Sequence, residues 1–174
     1  MAERRASPNA VSLAGEFATL AQLALRGYDA NLTLGNTKGV DILASDPDSD
    51  RMFRIEVKTS GYRSRKGVAS TRSRLFGHCF TWIMSKKHQT LVDLKLFYCF
   101  VNIEGIEARS FRFFIVPSDV VAEYVGEQHR VWLEDDASHK DSDMRVFRLA
   151  LEEEDHPLPT PMAEKYEDNW EFSR

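Results

Sequence analysis

The sequence predicts a mixed α/β domain, and three observations carry that prediction. An amphipathic stretch opens the chain, two short apolar runs follow across a segment of turn formers, and a ten-residue apolar run, Leu94 to Ile103, stands near the middle. The first has the 3.6-residue period of a helix packed on one side. The second has the alternation of a hairpin, and the third, the most apolar run in the chain, the apolarity of a strand buried on both faces.

With 174 residues, 43% of them hydrophobic and 11% aromatic, the chain is long enough for one domain with a core of its own and too short for two. Cys79 and Cys99 lie in apolar surroundings with neither CxxC spacing nor clustered histidines, so they read as buried thiols in a reducing compartment. No run approaches the roughly 18 apolar residues of a membrane span. The N-terminus MAERRASPN lacks the apolar core of a signal peptide. A cytoplasmic protein without a membrane partner is expected.

The elements follow in order. Residues 1–9 form a frayed end, and Asn9 can cap a helix from Ala10 to Arg26, with Val11, Ala14, Ala18, Ala21 and Leu25 among its periodic apolar positions and Gly27 as its stop. Tyr28 to Leu34 reads as a first strand, closed by the turn Gly35 to Gly39. Val40 to Ala44 and Phe53 to Val57 form a hairpin across Ser45 to Asp50. Ser60 to Gly77 is polar, basic and glycine-containing, and is expected to be a loop outside the core. Phe80 to Met84 is extended and enters a short helix capped by Ser85. After the central strand Leu94 to Ile103 come a strand from Ser110 to Val116 and a short helix, Val120 to Tyr124, capped by Ser118 or Asp119 and ending near Gly126. Val131 to Leu133 and Met144 to Leu151 are possible extra elements. The tail, 151–174, carries Tyr166, Trp170 and Phe172 and is expected to pack on the domain.

The hairpin bears charges that are odd for its strands. Asp41 interrupts one apolar run, while Glu56 and Lys58 share one side of the other, opposite Ile55 and Val57. Carboxylates brought close together repel unless a cation or proton lies between them, and hard divalent cations prefer oxygen ligands. A metal site is the resulting hypothesis.

An Asp, a strand and then Glu-x-Lys at the end of the next strand resembles the PD-(D/E)XK nuclease superfamily, whose restriction-endonuclease-like fold also serves Holliday-junction resolvases. Here the pattern is Asp41, then Glu56-Val57-Lys58, with Val40 in place of the proline that often precedes the aspartate. The resemblance covers Ala10 to Gly126 and implies an αβββαβ core, with a mixed central sheet flanked by helices and a C-terminal extension. Residues 10–150 are then the nuclease-like domain. It further implies Mg²⁺ or Mn²⁺ as cofactor, held by Asp41, Glu56 and the backbone carbonyl of Val57, with Lys58 assisting the attacking water. Glu16 on the first helix is either a solvated glutamate or a further metal-site residue, as such nucleases often carry a glutamate there.

The net charge of −4 argues against a general nucleic-acid binder, yet eleven lysines and arginines between Arg51 and Lys95 stand against only Glu56 and Asp93 in that stretch. Arg63, Arg65, Lys66, Arg72 and Arg74 in the basic loop, with Lys86 and Lys87 beyond it, are the candidates for phosphate contact, a solvated loop being the other reading. The superfamily's second helix often offers a Lys or Gln to the active site, which brings Lys86, Lys87 and Gln89 into view; His88 reads as a surface or core histidine. Nucleic acid, DNA foremost, is the expected partner, and a homodimer would suit cleavage of both strands of a duplex. A catalytically silent nucleic-acid-binding or interaction module on the same fold is the alternative.

Overall fold

The computed structural model describes residues 6–33, 39–61, 70–105, 110–153 and 156–172. Arg63, Arg65 and Lys66 lie outside the described residues, as does most of the Gly35 to Gly39 turn.

Helix α1, Pro8–Leu25, starts two residues before the expected position because Ser7, not Asn9, caps it: the Ser7 hydroxyl accepts from the Ala10 amide at 3.2 Å, and Pro8 occupies the first turn. Gly27, at φ +84°, ends it. The buried positions Gly15, Thr19 and Leu23 form a stripe at four-residue spacing.

That stripe rests on a five-stranded sheet in the order β1-β2-β3-β6-β7, from Asp29–Leu32, Ile42–Asp46, Arg51–Gly61, Leu96–Glu104 and Ser110–Pro117. The β3–β6 pair is parallel and the others antiparallel, so the sheet is mixed. Strand alternation divides the core between its two faces. Ile55, Val57, Phe97, Cys99, Val101, Phe113 and Ile115 face the layer of Leu23 on α1, closed by Trp170 and Phe172 of the tail. Tyr98, Phe100, Phe114 and Val116 face the other way.

The second layer is a three-stranded sheet, β4-β5-β8, formed by Ser70–Ser73, Gly77–Ser85 and Met144–Ala150, together with helix α2, Ser118–Asp135. Trp82 anchors it: the ring packs on Phe100 and Phe114, and the indole N–H donates to the Val101 carbonyl of β6 at 3.0 Å. The protein is thus a mixed α/β fold.

Several elements differ from expectation. The end of the stretch read as a loop, Ser60 to Gly77, contains β4 and turns into β5 through Gly77 at φ +68°, which buries Leu75 and Phe76. The expected second core helix is one 3-10 turn, Lys86–Gln89, and the Ser85 side chain makes no cap bond. Helix α2 runs through Gly126 and absorbs Val131 to Leu133. An interior glycine costs a helix only about 1 kcal/mol, less than the burial of Val121, Ala122 and Val125 on its inner side provides.

Candidate functional site

Strands β2 and β3 part at Asp41. The Asp41 amide still donates to the Ile55 carbonyl at 2.9 Å, but the next amide on β3, that of Val57, donates to the Asp41 side chain, Oδ2, at 2.6 Å. The Val40 carbonyl turns away and accepts from the Thr33 hydroxyl at 2.7 Å. A carboxylate has therefore replaced a ladder bond at the fork, which fixes Asp41 against the backbone of β3. Burial raises the pKa of its carboxyl group, and the nearby charge of Glu56 adds to the rise against the lowering effect of the Val57 amide.

Glu56 follows one residue earlier on β3 and is only 3% exposed. Its Oε1 accepts from Lys58 Nζ at 2.6 Å, with Lys87 Nζ at 4.0 Å and His88 Nε2 at 3.9 Å. Its Oε2 is buried and has no hydrogen-bond partner among the described residues. A buried carboxylate oxygen left unpaired is costly, and the backbone of Gly39 packs closely against it. Gly39, at φ +72°, has no side chain there, and a Cβ at that position would lie 3.2 Å from Glu56 Oε2.

Glu16 approaches from the helix side. A Cβ on Gly15 would meet Thr59 Oγ1 at 1.9 Å, so only glycine lets α1 lie this close to β3. The Ser12 hydroxyl donates to Glu16 Oε1 at 3.3 Å. Burial raises the Glu16 pKa, the charge of Asp41 raises it further, and the Ser12 hydroxyl and Lys58 oppose both. Glu16, Asp41, Glu56 and Lys58 are thus gathered around the β2–β3 fork.

The basic residues are arranged differently. Arg72 binds Glu152 at 2.9 Å, Arg74 binds Asp135 at 2.5 Å and Lys86 binds Asp141 at 3.1 Å. The acidic second half of the chain thereby supplies counterions to the basic stretch. Lys87 instead points to the fork, with its side chain more than half exposed. Gln89 accepts from Arg145 Nε at 3.0 Å, as part of a network joining the 3-10 turn to β8.

His88 is buried beneath Glu56, with Nδ1 2.7 Å from the Tyr98 hydroxyl. Burial lowers its pKa to about 4, helped by Lys58 and opposed by Glu56. Tyr98 stands directly across from Glu56 in the β3–β6 register, and burial, with the charge of Glu56, raises its pKa. Sequence reasoning did not single out Tyr98; the signal for it is the pairing of two apolar runs in parallel, which places position 98 beside position 56.

Among the described residues no three His, Cys, Asp or Glu side chains are grouped so that they could hold a metal ion between them. What the fork supplies is two carboxylates, Asp41 and Glu56, the second with a buried oxygen that has no partner among the described residues, and carboxylate oxygens are the donors a hard cation takes.

No protein-family model matches the sequence, and no curated protein matches it. A solved structure does. The fold is similar to that of a bacterial homing endonuclease, I-Ssp6803I, with a TM-score of 0.52 and 15% sequence identity over 95% of this chain and 90% of that one.

Proposed function

We propose that the protein is a metal-dependent nuclease of the PD-(D/E)XK type that hydrolyses phosphodiester bonds in nucleic acid, DNA foremost. The observation that carries this reading is the buried Oε2 of Glu56, without a partner among the described residues, at the fork where Asp41 and Lys58 also meet. A site that served only to hold the strands together has no use for such an oxygen. The fold's likeness to a homing endonuclease supports the reading.

Asp41 and Glu56, with the backbone carbonyl of Val57, would hold Mg²⁺ or Mn²⁺. When bound, such an ion lowers the pKa of water and offsets charge on a phosphate. Lys58 Nζ, drawn to Glu56 Oε1, stands where an ammonium can orient an attacking water and steady the negative phosphate oxygens. Glu16 approaches the fork from α1, within electrostatic reach of Asp41 and Lys58, and can accept a hydrogen bond from water there. Lys87 supplies a cation at the open side. The remaining basic residues, Arg63, Arg65, Lys66, Arg72, Arg74 and Lys86, are proposed as contacts to the phosphate backbone, the last three by exchanging their exposed carboxylate partners for phosphate. Exposed ion pairs are weak enough for that exchange.

Plasmid and oligonucleotide substrates incubated with the protein in Mg²⁺ or Mn²⁺ test the reading, beside Asp41→Ala, Glu56→Ala and Lys58→Ala. Each substitution should lower the cleavage rate by at least about 10²-fold, as loss of one preorganised electrostatic group does. Absence of cleavage by the wild-type protein on every substrate defeats the nuclease reading. Cleavage that persists in all three variants defeats the site.

A further inference from the structure

We propose that Tyr98 and His88 form a positioning pair behind Glu56: the Tyr98 hydroxyl donates to His88 Nδ1, which leaves the imidazole proton on Nε2, facing Glu56 Oε1. The inference rests on the proposed nuclease site and names residues that act through Glu56.

The geometry carries it. Tyr98 O and His88 Nδ1 are 2.7 Å apart and both groups are buried, so this hydrogen bond is the hydroxyl's means of satisfaction among the described residues. The other ring nitrogen lies 3.9 Å from Glu56 Oε1. A lone pair on Nε2 would face the carboxylate oxygen and repel it, whereas an N–H there faces it favourably. Lys58 and Lys87 approach the same carboxylate oxygen, at 2.6 and 4.0 Å.

The separation of 3.9 Å is longer than a hydrogen bond. The pair therefore limits how the carboxylate can turn, while Lys58 makes the direct bond to Oε1. With Oε1 faced by Lys58 and the His88 N–H, Oε2, which has no partner among the described residues, is kept on the Gly39 side. Partners behind a ligand that fix its orientation are worth about 10–100-fold in metal affinity.

Three measurements on the whole chain test the pair. Nitrogen-15 spectra of His88 in metal-free protein at pH 7.5 should show a neutral ring protonated at Nε2; an Nδ1-protonated ring or an imidazolium overturns the proposal. The Glu56 side-chain carboxyl carbon shift should move in His88→Phe and in Tyr98→Phe; no movement in either overturns it. Mn²⁺ titrated into wild type, Tyr98→Phe, His88→Phe and His88→Gln should give a Kd weakened about tenfold in the first two variants, with recovery in His88→Gln, whose amide N–H reaches toward Glu56. Affinity within twofold of wild type in both Tyr98→Phe and His88→Phe overturns the positioning role while the nuclease reading stands. Failure of the wild-type protein to bind Mn²⁺ counts against the nuclease reading, and the carbon shift then decides the His88–Glu56 relation alone. If His88→Phe does not fold, Tyr98→Phe, which removes one oxygen atom, carries the test.

Discussion

Gly15 of α1 and Thr59 of β3 touch so closely that a methyl group on the glycine would lie 1.9 Å from the threonine hydroxyl oxygen and 2.9 Å from its Cβ. This contact sets the distance between the helix that carries Glu16 and the strand that carries Glu56 and Lys58. Alanine at position 15 would gain in helix propensity by up to about 1 kcal/mol. Overpacking of about 1–3 kcal/mol opposes that gain, and because Thr59 Cβ is bonded directly to the strand backbone and Oγ1 to that Cβ, the clash wins. Gly15→Ala should lower Tm by several degrees, and Gly15→Ala with Thr59→Ala should recover part of the loss. A thermal melt in which Gly15→Ala matches wild type would show that the helix can move away at no cost.

The tail is bound by its aromatics. Phe172 stacks on Phe53 with ring centroids 4.6 Å apart and meets Phe97 and Tyr28 edge-on at 5.3 and 5.4 Å. The Tyr28 hydroxyl donates to the Trp170 carbonyl at 2.8 Å. Phe172→Ala should therefore behave as a core truncation and cost about 3–5 kcal/mol. Denaturant unfolding measures this, and a loss under about 1 kcal/mol, typical of surface positions, would mean that the tail is a loose appendage.

The legible parts of the fold were those with a long period or an unbroken apolar run. Helix α1 and strand β6 could be placed from residues alone, because burial of one stripe or of both faces leaves a direct mark on composition. The hairpin could also be placed, since Pro47 and its polar neighbours interrupt two apolar runs. Gly126 in isolation signals a helix stop, whereas the packing of Val121 and Val125 into the core with Tyr98, Val116 and Phe147 outweighs it. Strand β4, Ser-Thr-Arg-Ser, has no apolar alternation, because its support comes from pairing with β5. At the fork, Asp41, Glu56 and Lys58 were visible as charges in apolar strands. The Glu56–Tyr98 pairing was not, because it depends on the parallel register of β3 and β6, which joins residues 42 positions apart.

Lys87 and Arg74 differ in what already holds them, and nucleic-acid binding should separate them. Arg74 makes two bonds to Asp135, at 2.5 and 2.6 Å, whereas Lys87 has Glu56 Oε1 at 4.0 Å and faces the fork. A lysine that meets a phosphate contributes about one unit to the slope of log affinity against log salt. Lys87→Ala should lower that slope by about one, while Arg74→Ala should change it less, since its charge is largely compensated before binding. Fluorescence anisotropy with a labelled duplex, in metal-free buffer at several salt concentrations, measures both. A larger slope change for Arg74→Ala would mean that the Asp135 pair opens and that the β4 side bears the phosphate contact.

Asp41 offers a test in which stability and metal binding move in opposite directions. Its folded pKa is raised above the ordinary value of 3.8, chiefly by burial, with the Val57 amide opposing and the charge of Glu56 adding. A carboxyl group raised on folding binds its proton more tightly in the native state, so stability falls as pH rises through the window between the unfolded and folded values. Above that window the ionised Asp41 weakens the fold, and below 3.8 the penalty is gone. Asp41→Asn keeps an oxygen that can accept from the Val57 amide and removes the charge. In chelator at pH 8 it should therefore melt above wild type, and the difference should shrink as pH falls toward 4. Adding Mn²⁺ should reverse the order: wild type gains about 2.7 kcal/mol at a hundredfold excess over Kd, while the variant, with one ligand weakened, gains much less. Because metal requires the carboxylate, the affinity of wild type should also rise with pH until Asp41 is fully ionised. Melts across pH, with and without Mn²⁺, check both limbs. An Asp41→Asn variant that is less stable than wild type in chelator at pH 8 would mean that the Val57 clamp outweighs the burial of the charge. An equal response to Mn²⁺ in the two proteins would remove Asp41 from the metal site.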